Sequence, residues 1–338
     1  MAFRIPVTII TGLLGVGKTT LISSLLTKKN DKKIALIVNE FGSVGVDGAI
    51  LANNCREDII ELTDGCICCT VSDEFIPSME MLLEREPSPD HIIIETSGIA
   101  LPQPLLQAFK WPPMQSRIAL NVVIAVVDLL AISDGFSAEA NTPILTGENV
   151  EHHTTLLNIF DDQLSCADLI VLNKRDLILN SKFQGVNQYI DRKKRHGAKV
   201  VSAIQGNIPL ELIVGQEAHF RSNDSISHTH YIDHDKGSHG HDAYETFAIN
   251  IRPAKSSHEM KRIVSKVAKN NKVLRIKGFA VITDKPMRLT VQAVGPRVQV
   301  YFDRRWNQNE QPQGCLVVIG LKGLDKEKIA SELAGVPV

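Results

Sequence analysis

The chain has 338 residues, 43% of them hydrophobic, and a formal net charge of -1. That length and apolar content can bury a sizeable core and point to two domains. Near-neutrality argues against nucleic acid or an anionic membrane as the main partner, because either favours a basic surface. No apolar run approaches the roughly 20 residues needed to span a bilayer. The first ten residues lead straight into a strand, without the apolar stretch and small-residue cleavage site of a secretory signal. Six cysteines, unevenly spaced, suit a reducing cytosol in which they act as thiolates, so the expected localisation is cytoplasmic.

Residues 5–11 form an apolar, β-branched run, and Leu21, Ile22, Leu25 and Leu26 recur at helical spacing through 19–28. Between them stands Gly12-Leu13-Leu14-Gly15-Val16-Gly17-Lys18-Thr19, followed by Thr20. A G-x-x-x-x-G-K-T string on a strand-loop-helix turn is a phosphate-binding loop. Its glycines let backbone N–H groups wrap the phosphates, Lys18 reaches the outer two, and the Thr19 hydroxyl can bind Mg²⁺.

A strand over 33–39 leads into Glu40-Phe41-Gly42, a glycine-rich loop where a phosphate-sensing switch would lie. Glu40 can serve the Mg²⁺ shell directly or through water, or be a solvated loop carboxylate. A short strand over 59–62 feeds Gly65-Cys66-Ile67-Cys68-Cys69, and 71–86 reads as mainly helical, with Pro77 disturbing its first turns. The buried-type strand 91–95 delivers Glu95 and then Gly98. In open α/β sheets the ligand crevice lies beyond the carboxyl ends of the strands, so Glu95 is expected near the terminal phosphate and the metal. Ordering Mg²⁺ or its waters, aligning the attacking water, and a structural role at a strand end all remain open for it. Lys18 and Glu95 are the expected catalytic residues.

A long strand over 117–128 and a helix over 150–165 precede the strand 168–172, which ends in Asn173-Lys174-Arg175-Asp176. In this chain order an N-K-x-D string reads guanine. Asp176 accepts from the base N1–H and exocyclic amine, while Asn173 and Lys174 buttress the base and the phosphate loop. Adenine lacks the matching donors and would leave the carboxylate unpaired, so GTP is favoured over ATP. After the strand 199–202, Ala203 is a plausible edge of the base pocket.

Residues 222–243 change in composition, with five histidines and several aspartates among serine and glycine. They read as a linker, either a weak divalent-metal tether or simply solvated. Beyond it, alternation over 245–251, a capping box from Ser256 to Glu259, strands over 273–282, 287–294, 297–302 and 315–319, and a last helix from Asp325 describe a smaller α+β domain. The expected fold class is therefore α/β, a P-loop NTPase with a mainly parallel sheet over 1–221, plus a C-terminal α+β domain over 244–338.

Cys66, Cys68 and Cys69 offer up to three soft thiolates to Zn²⁺, Co²⁺ or a similar ion. Three ligands do not close a tetrahedron. Cys166 and Cys315 sit in apolar contexts as expected core residues, and Cys55 lies in a polar stretch. A closed zinc knuckle would need a fourth ligand that the local sequence does not provide, and a redox pair would need a thioredoxin-like setting.

Together the phosphate loop, Asn39-Glu40-Phe41-Gly42, the C-x-C-C string, Glu95-Thr96-Ser97-Gly98, the N-K-x-D string, the histidine linker and the C-terminal domain resemble the CobW-type family of P-loop GTPases, which is linked to metal delivery. The stretches 90–112 and 287–306 resemble its cobalamin-linked branch more than its zinc- or nickel-linked relatives. The resemblance implies GTP-dependent handling of Co²⁺ for cobaltochelatase, with Zn²⁺ (or Ni²⁺) and another metal-acceptor protein as alternatives. Chain order suggests a coupling: GTP and Mg²⁺ order the Glu40 loop, the cysteines become metal-competent, and hydrolysis releases the ion. A metal-storage or sensing protein with structural GTP, or a regulatory GTPase with a structural zinc, are the competing readings.

Overall fold

The structure, a computed structural model, describes residues 4–28, 33–39, 59–62, 75–134, 136–137, 142–143, 150–214, 244–306 and 312–337. Glu40 and its loop, Cys55, the Cys66-Cys68-Cys69 segment, the histidine-rich stretch and the expected boundaries at 221/222 and 243 lie outside the described residues. The chain divides into two compact units, Ile5–Ile208 and Met1–Arg4 with Pro209–Val338.

In the first unit the chain runs β1 (Ile5–Thr11), α1 (Lys18–Thr27), β2 (Ile34–Asn39), β3 (Ile59–Leu62), α2 (Ile76–Leu83), β4 (His91–Glu95), α3 (Pro102–Ala108), α4 (Pro112–Arg117), β5 (Ile118–Asp128) and α5 (Leu129–Asp134). A short ribbon, β6 (Phe136–Ser137) with β7 (Thr142–Pro143), follows. Then come α6 (Val150–Cys166), β8 (Leu169–Asn173), a 3₁₀ turn at Arg175–Leu177, α7 (Asn180–Lys193) and β9 (Lys199–Ser202). Seven strands form one sheet in the order β3-β2-β4-β1-β5-β8-β9, and every pairing is parallel. Its central strands are apolar without alternation because helices cover both faces: all five residues of β4 and of β8 are buried. One core forms where Phe75, Met79, Leu82, Leu105 and Met114 pack on Val7, Ile9, Ile92 and Ile94. Another gathers Phe160, Leu164, Val186 and Ile190 against Ala125, Val127, Ile170 and Leu172.

The helix expected over 71–86 is described from Ile76, with Pro77 in its first turn, where the missing N–H would have had no intrahelical acceptor anyway. The short helices α3, α4 and α5 and the longer α7 were not anticipated. The first two open on proline and span two turns or fewer, too little for periodicity to speak. For α7 the signal was present in Val186, Tyr189 and Ile190, all buried.

In the second unit, α8 (Glu211–Val214) precedes β10 (Tyr244–Ile251), α9 (Ser257–Asn270), β11 (Val273–Ala280), β12 (Met287–Val294), β13 (Arg297–Arg305), β14 (Gly314–Leu321), α10 (Lys326–Glu332) and β15 (Gly335–Pro337). The six strands form an antiparallel sheet in the order β13-β12-β11-β14-β10-β15. Met260, Val264 and Val267 of α9 and Ile329 of α10 pack on Ile249, Ile276, Leu289, Val291, Leu316 and Val318. The cap at Ser256 forms as expected, its hydroxyl accepting from Glu259 N at 3.1 Å, while the Glu259 carboxylate reaches one residue further back, to Lys255 N at 2.7 Å. Arg275 is fully buried. Its Nη1 donates to Leu212 O at 2.8 Å and Ile213 O at 2.9 Å, and Lys277 Nζ donates to Val214 O at 3.1 Å. Two cations thus cap the open carbonyls of α8. Burial pulls the Arg275 guanidinium down to about 9.

Candidate nucleotide site

A parallel sheet brings every strand's carboxyl end to one edge, and five neighbouring strands, β4-β1-β5-β8-β9, end there in chemistry. Gly12 follows β1, Glu95 ends β4, Asp128 ends β5, Asn173 ends β8 and Ala203 follows β9.

The phosphate loop holds the conformation its glycines permit. Gly17 has φ 97°, and a Cβ there would stand 2.5 Å from Asn173 Nδ2. Gly12 has φ 146°, with Val126 O only 2.4 Å from where its Cβ would be. Any side chain at either position would be strained and would push the loop off its neighbouring strands. Leu13, Leu14, Gly15 and Val16 complete the turn, with Leu14 72% exposed at its tip. Thr19 and Thr20 lie in the first turn of α1.

Lys18 is 8% exposed, and its Nζ donates to Gly12 O at 2.9 Å and Leu13 O at 3.1 Å. Its ammonium is thus satisfied by neutral carbonyls of its own loop, which an anionic phosphate oxygen outcompetes because it adds the attraction of opposite charges to the hydrogen bond. Thr19 Oγ1 donates to Glu95 Oε1 at 3.3 Å. A hydroxyl and a carboxylate side by side beside that lysine are a hard-oxygen pair, and the set fits Mg²⁺. Bound there, the ion would neutralise charge building up on the phosphates. Glu95 itself is 4% exposed. The next residue secures the strand end: Thr96 N donates to Ile10 O at 3.0 Å, and Thr96 Oγ1 to Thr11 Oγ1 at 3.0 Å.

Asn173 joins the two halves of the site. Its Nδ2 donates to Val16 O at 3.0 Å, and its Oδ1 accepts from Gly206 N at 2.9 Å. Lys174 adopts a left-handed backbone, φ 59°, and its Nζ donates to Gly15 O at 3.2 Å and pairs with the Asp128 carboxylate. Ala203 N donates to Leu172 O at 2.8 Å and Arg175 N to Ala203 O at 3.2 Å, so Ala203 lies directly beside the N-K-x-D turn. Asp176, in the 3₁₀ turn, keeps its side chain exposed. Arg175, the variable position, stacks 4.5 Å from the Phe183 ring and donates to Ile178 O at 3.1 Å.

Lys18, Thr19, Glu95, Asn173, Lys174 and Asp176 therefore gather on one edge. Asp128 was missed, although a carboxylate closing a long apolar run is the signal that singled out Glu95. Gly206 and the Thr11–Thr96 pair had no local signal, since their roles are contacts across strands. Cys166 and Cys315 are buried as expected, and burial pushes both thiols up. Among the described residues no group of three or more His, Cys, Asp or Glu side chains is placed to hold a metal ion, and no helix is long and apolar enough to cross a membrane.

Residues 6–202 match the CobW/HypB/UreG nucleotide-binding domain, and residues 244–336 match the cobalamin synthesis protein cobW C-terminal domain. A protein named zinc chaperone CobW from Sinorhizobium sp is 42% identical over 98% of this chain and 96% of its own length. One of the same name from Pseudomonas aeruginosa is 39% identical over 98% and 91%. The crystal structure of Zn(II)-bound YjiA GTPase from E. coli aligns over 98% of both chains at 23% identity with a TM-score of 0.43, too loose a match to argue from. By both domains and by these full-length relatives, the chain belongs to the CobW family.

Proposed function

We propose that the protein is a GTP-hydrolysing metallochaperone that works in the cytoplasm. The observation that carries the reading is Asn173, which binds the phosphate loop through Val16 O and the Gly206 amide through its other end, next to the Asp176 turn. Base reader and phosphate loop are thereby one rigid piece, as a guanine-nucleotide site requires. Lys18 leaves the Gly12 and Leu13 carbonyls for the phosphates, and Glu95 with Thr19 holds Mg²⁺ or its waters.

The cargo is a divalent ion taken by Cys66, Cys68 and Cys69. Sheet order supports the coupling to nucleotide: β2, whose carboxyl end leads into Glu40, lies next to β4, which ends in Glu95, and β3, whose carboxyl end leads toward Cys66, lies next to β2. A terminal phosphate sensed at Glu95 and Glu40 then changes the cysteine segment's affinity. Zinc is the first reading for the cargo, supported by the names of the two full-length relatives. Cobalt delivered to cobaltochelatase is the second, supported by the cobalamin-synthesis C-terminal domain.

Titrating Zn²⁺ and Co²⁺ into the Mg-GTP-analogue and Mg-GDP forms tests both parts. Tighter metal binding in the triphosphate form is expected, with thiolate charge-transfer absorption for Co²⁺. By linkage the metal must tighten the triphosphate by the same factor. Equal metal affinity in the two forms would sink the coupling.

A further inference from the structure

The segment that follows Glu95 is gripped from behind by the last turns of α6. Gln163 is 1% exposed, and its Nε2 donates to Gly98 O at 3.3 Å and Ala100 O at 3.4 Å. Three residues on, Cys166 Sγ accepts from Gln103 Nε2 of α3 at 3.2 Å. Both partners of Gln163 are carbonyls, so its amide nitrogen must face them, and the buried Oε1 has no hydrogen-bond partner among the described residues. On the opposite side Gly98 lies hard against the phosphate loop: a Cβ there would stand 2.5 Å from Leu14 N and 2.7 Å from Leu14 Cγ. Gly98 is thus held between a phosphate-loop amide and a buried amide side chain whose own oxygen has no hydrogen-bond partner among the described residues. A leucine or methionine would fill the same space without a polar atom to satisfy.

We infer that Gln163 is a positioning residue that presets the Gly98 segment for the terminal phosphate, so that it governs the discrimination between tri- and diphosphate. This rests on the nucleotide reading above. The physical reason is preorganisation: a segment already fixed at the loop loses little conformational entropy when the terminal phosphate arrives. The inner phosphates, wrapped by the loop's own amides, do not depend on it.

The test measures the Kd of a fluorescent GDP and of a non-hydrolysable fluorescent GTP analogue for the full chain and for Gln163→Met and Gln163→Glu. The glutamate keeps the shape but cannot donate to two carbonyls. The expected result is a loss of roughly fivefold in affinity for the triphosphate, with GDP unchanged within about twofold. Hydrogen exchange of the peptide over 96–103 in the nucleotide-free protein is expected to quicken in both variants. A parallel weakening of both nucleotides, or an unchanged ratio, overturns the inference. Should Gln163→Met not fold, the ratio in Gln163→Glu decides. If the unsubstituted chain binds neither nucleotide, it is the nucleotide reading that fails.

Discussion

Each of the two compact units holds a buried cation, and the two cations do opposite work. Lys18, at the carboxyl edge of the parallel sheet, is bonded to carbonyls of a glycine-rich loop with exposed Leu14 at its tip. Arg275, in the middle of the antiparallel sheet, is 2% exposed and bonded to the carbonyls at the end of α8. Exchanging the partners of Lys18 costs little, because a stronger acceptor replaces weaker ones in place. Removing those of Arg275 would take hydrogen bonds from a buried charge and from a helix terminus together. Burial alone does not separate function from structure; what separates them is whether a ligand can take over the partner's role. The same contrast extends to the strands. β4, β1, β5, β8 and β9 all deliver polar groups to one edge, whereas the antiparallel strands of the second unit send their ends alternately to both edges and concentrate nothing.

Four substitutions or treatments break or sharpen that contrast. Lys18→Ala should weaken GDP and GTP by roughly 1,000-fold, since the lost bonds are charge-assisted, while leaving the denaturation midpoint near that of the unsubstituted chain. Calorimetric titration reads it, and normal GTP binding would contradict the phosphate-loop assignment. Asp176→Asn should cost GTP roughly 100-fold, because the guanine donors meet an amide where a carboxylate stood. Xanthosine triphosphate, which carries an acceptor at that position, should regain much of the loss; no recovery would argue against Asp176 as the base reader.

Arg275→Met should leave both nucleotide affinities unchanged and lower stability by about 2 kcal/mol, the cost of the freed α8 carbonyls less the relief of a buried charge. Denaturant melts measure this, and an unchanged midpoint would show that the relief equals the cost. The smallest effect concerns thiols in both units. Burial raises Cys166 and Cys315 above the ordinary thiol range, so at pH 8 both stay protonated in the folded state. Their thiolate fraction grows only as pH climbs through the raised values. Alkylation followed by peptide mass mapping should find each at least about tenfold slower than in denatured protein. Rapid labelling of either would mean that its unit opens easily.

Much of the nucleotide site was legible in the chain because its chemistry is local. A glycine string with lysine and threonine, an acidic strand end, and N-K-x-D each carry their meaning within eight residues, and parallel strands guarantee that such strand ends share an edge. The C-terminal α+β unit was legible from alternation and from the Ser256–Glu259 cap. Asp128 could have been read by the rule applied to Glu95. Gly206, the Thr11–Thr96 pair and Gln163 could not, since each acts on residues distant in sequence through one or two hydrogen bonds.

The sequence by itself determined which motifs are present: a phosphate-loop string, an N-K-x-D string, an acidic strand end, three clustered cysteines and the family. Only the tertiary structure decided how these are joined, because joining depends on strand order and on hydrogen bonds that no local pattern encodes. Asn173 ties the N-K-x-D turn to Val16, Lys174 ties it to Asp128, and Gln163 holds Gly98 from behind. Propensity and periodicity describe a chain along its length, whereas these contacts cross from one strand end to the next, where only packing chooses the neighbours.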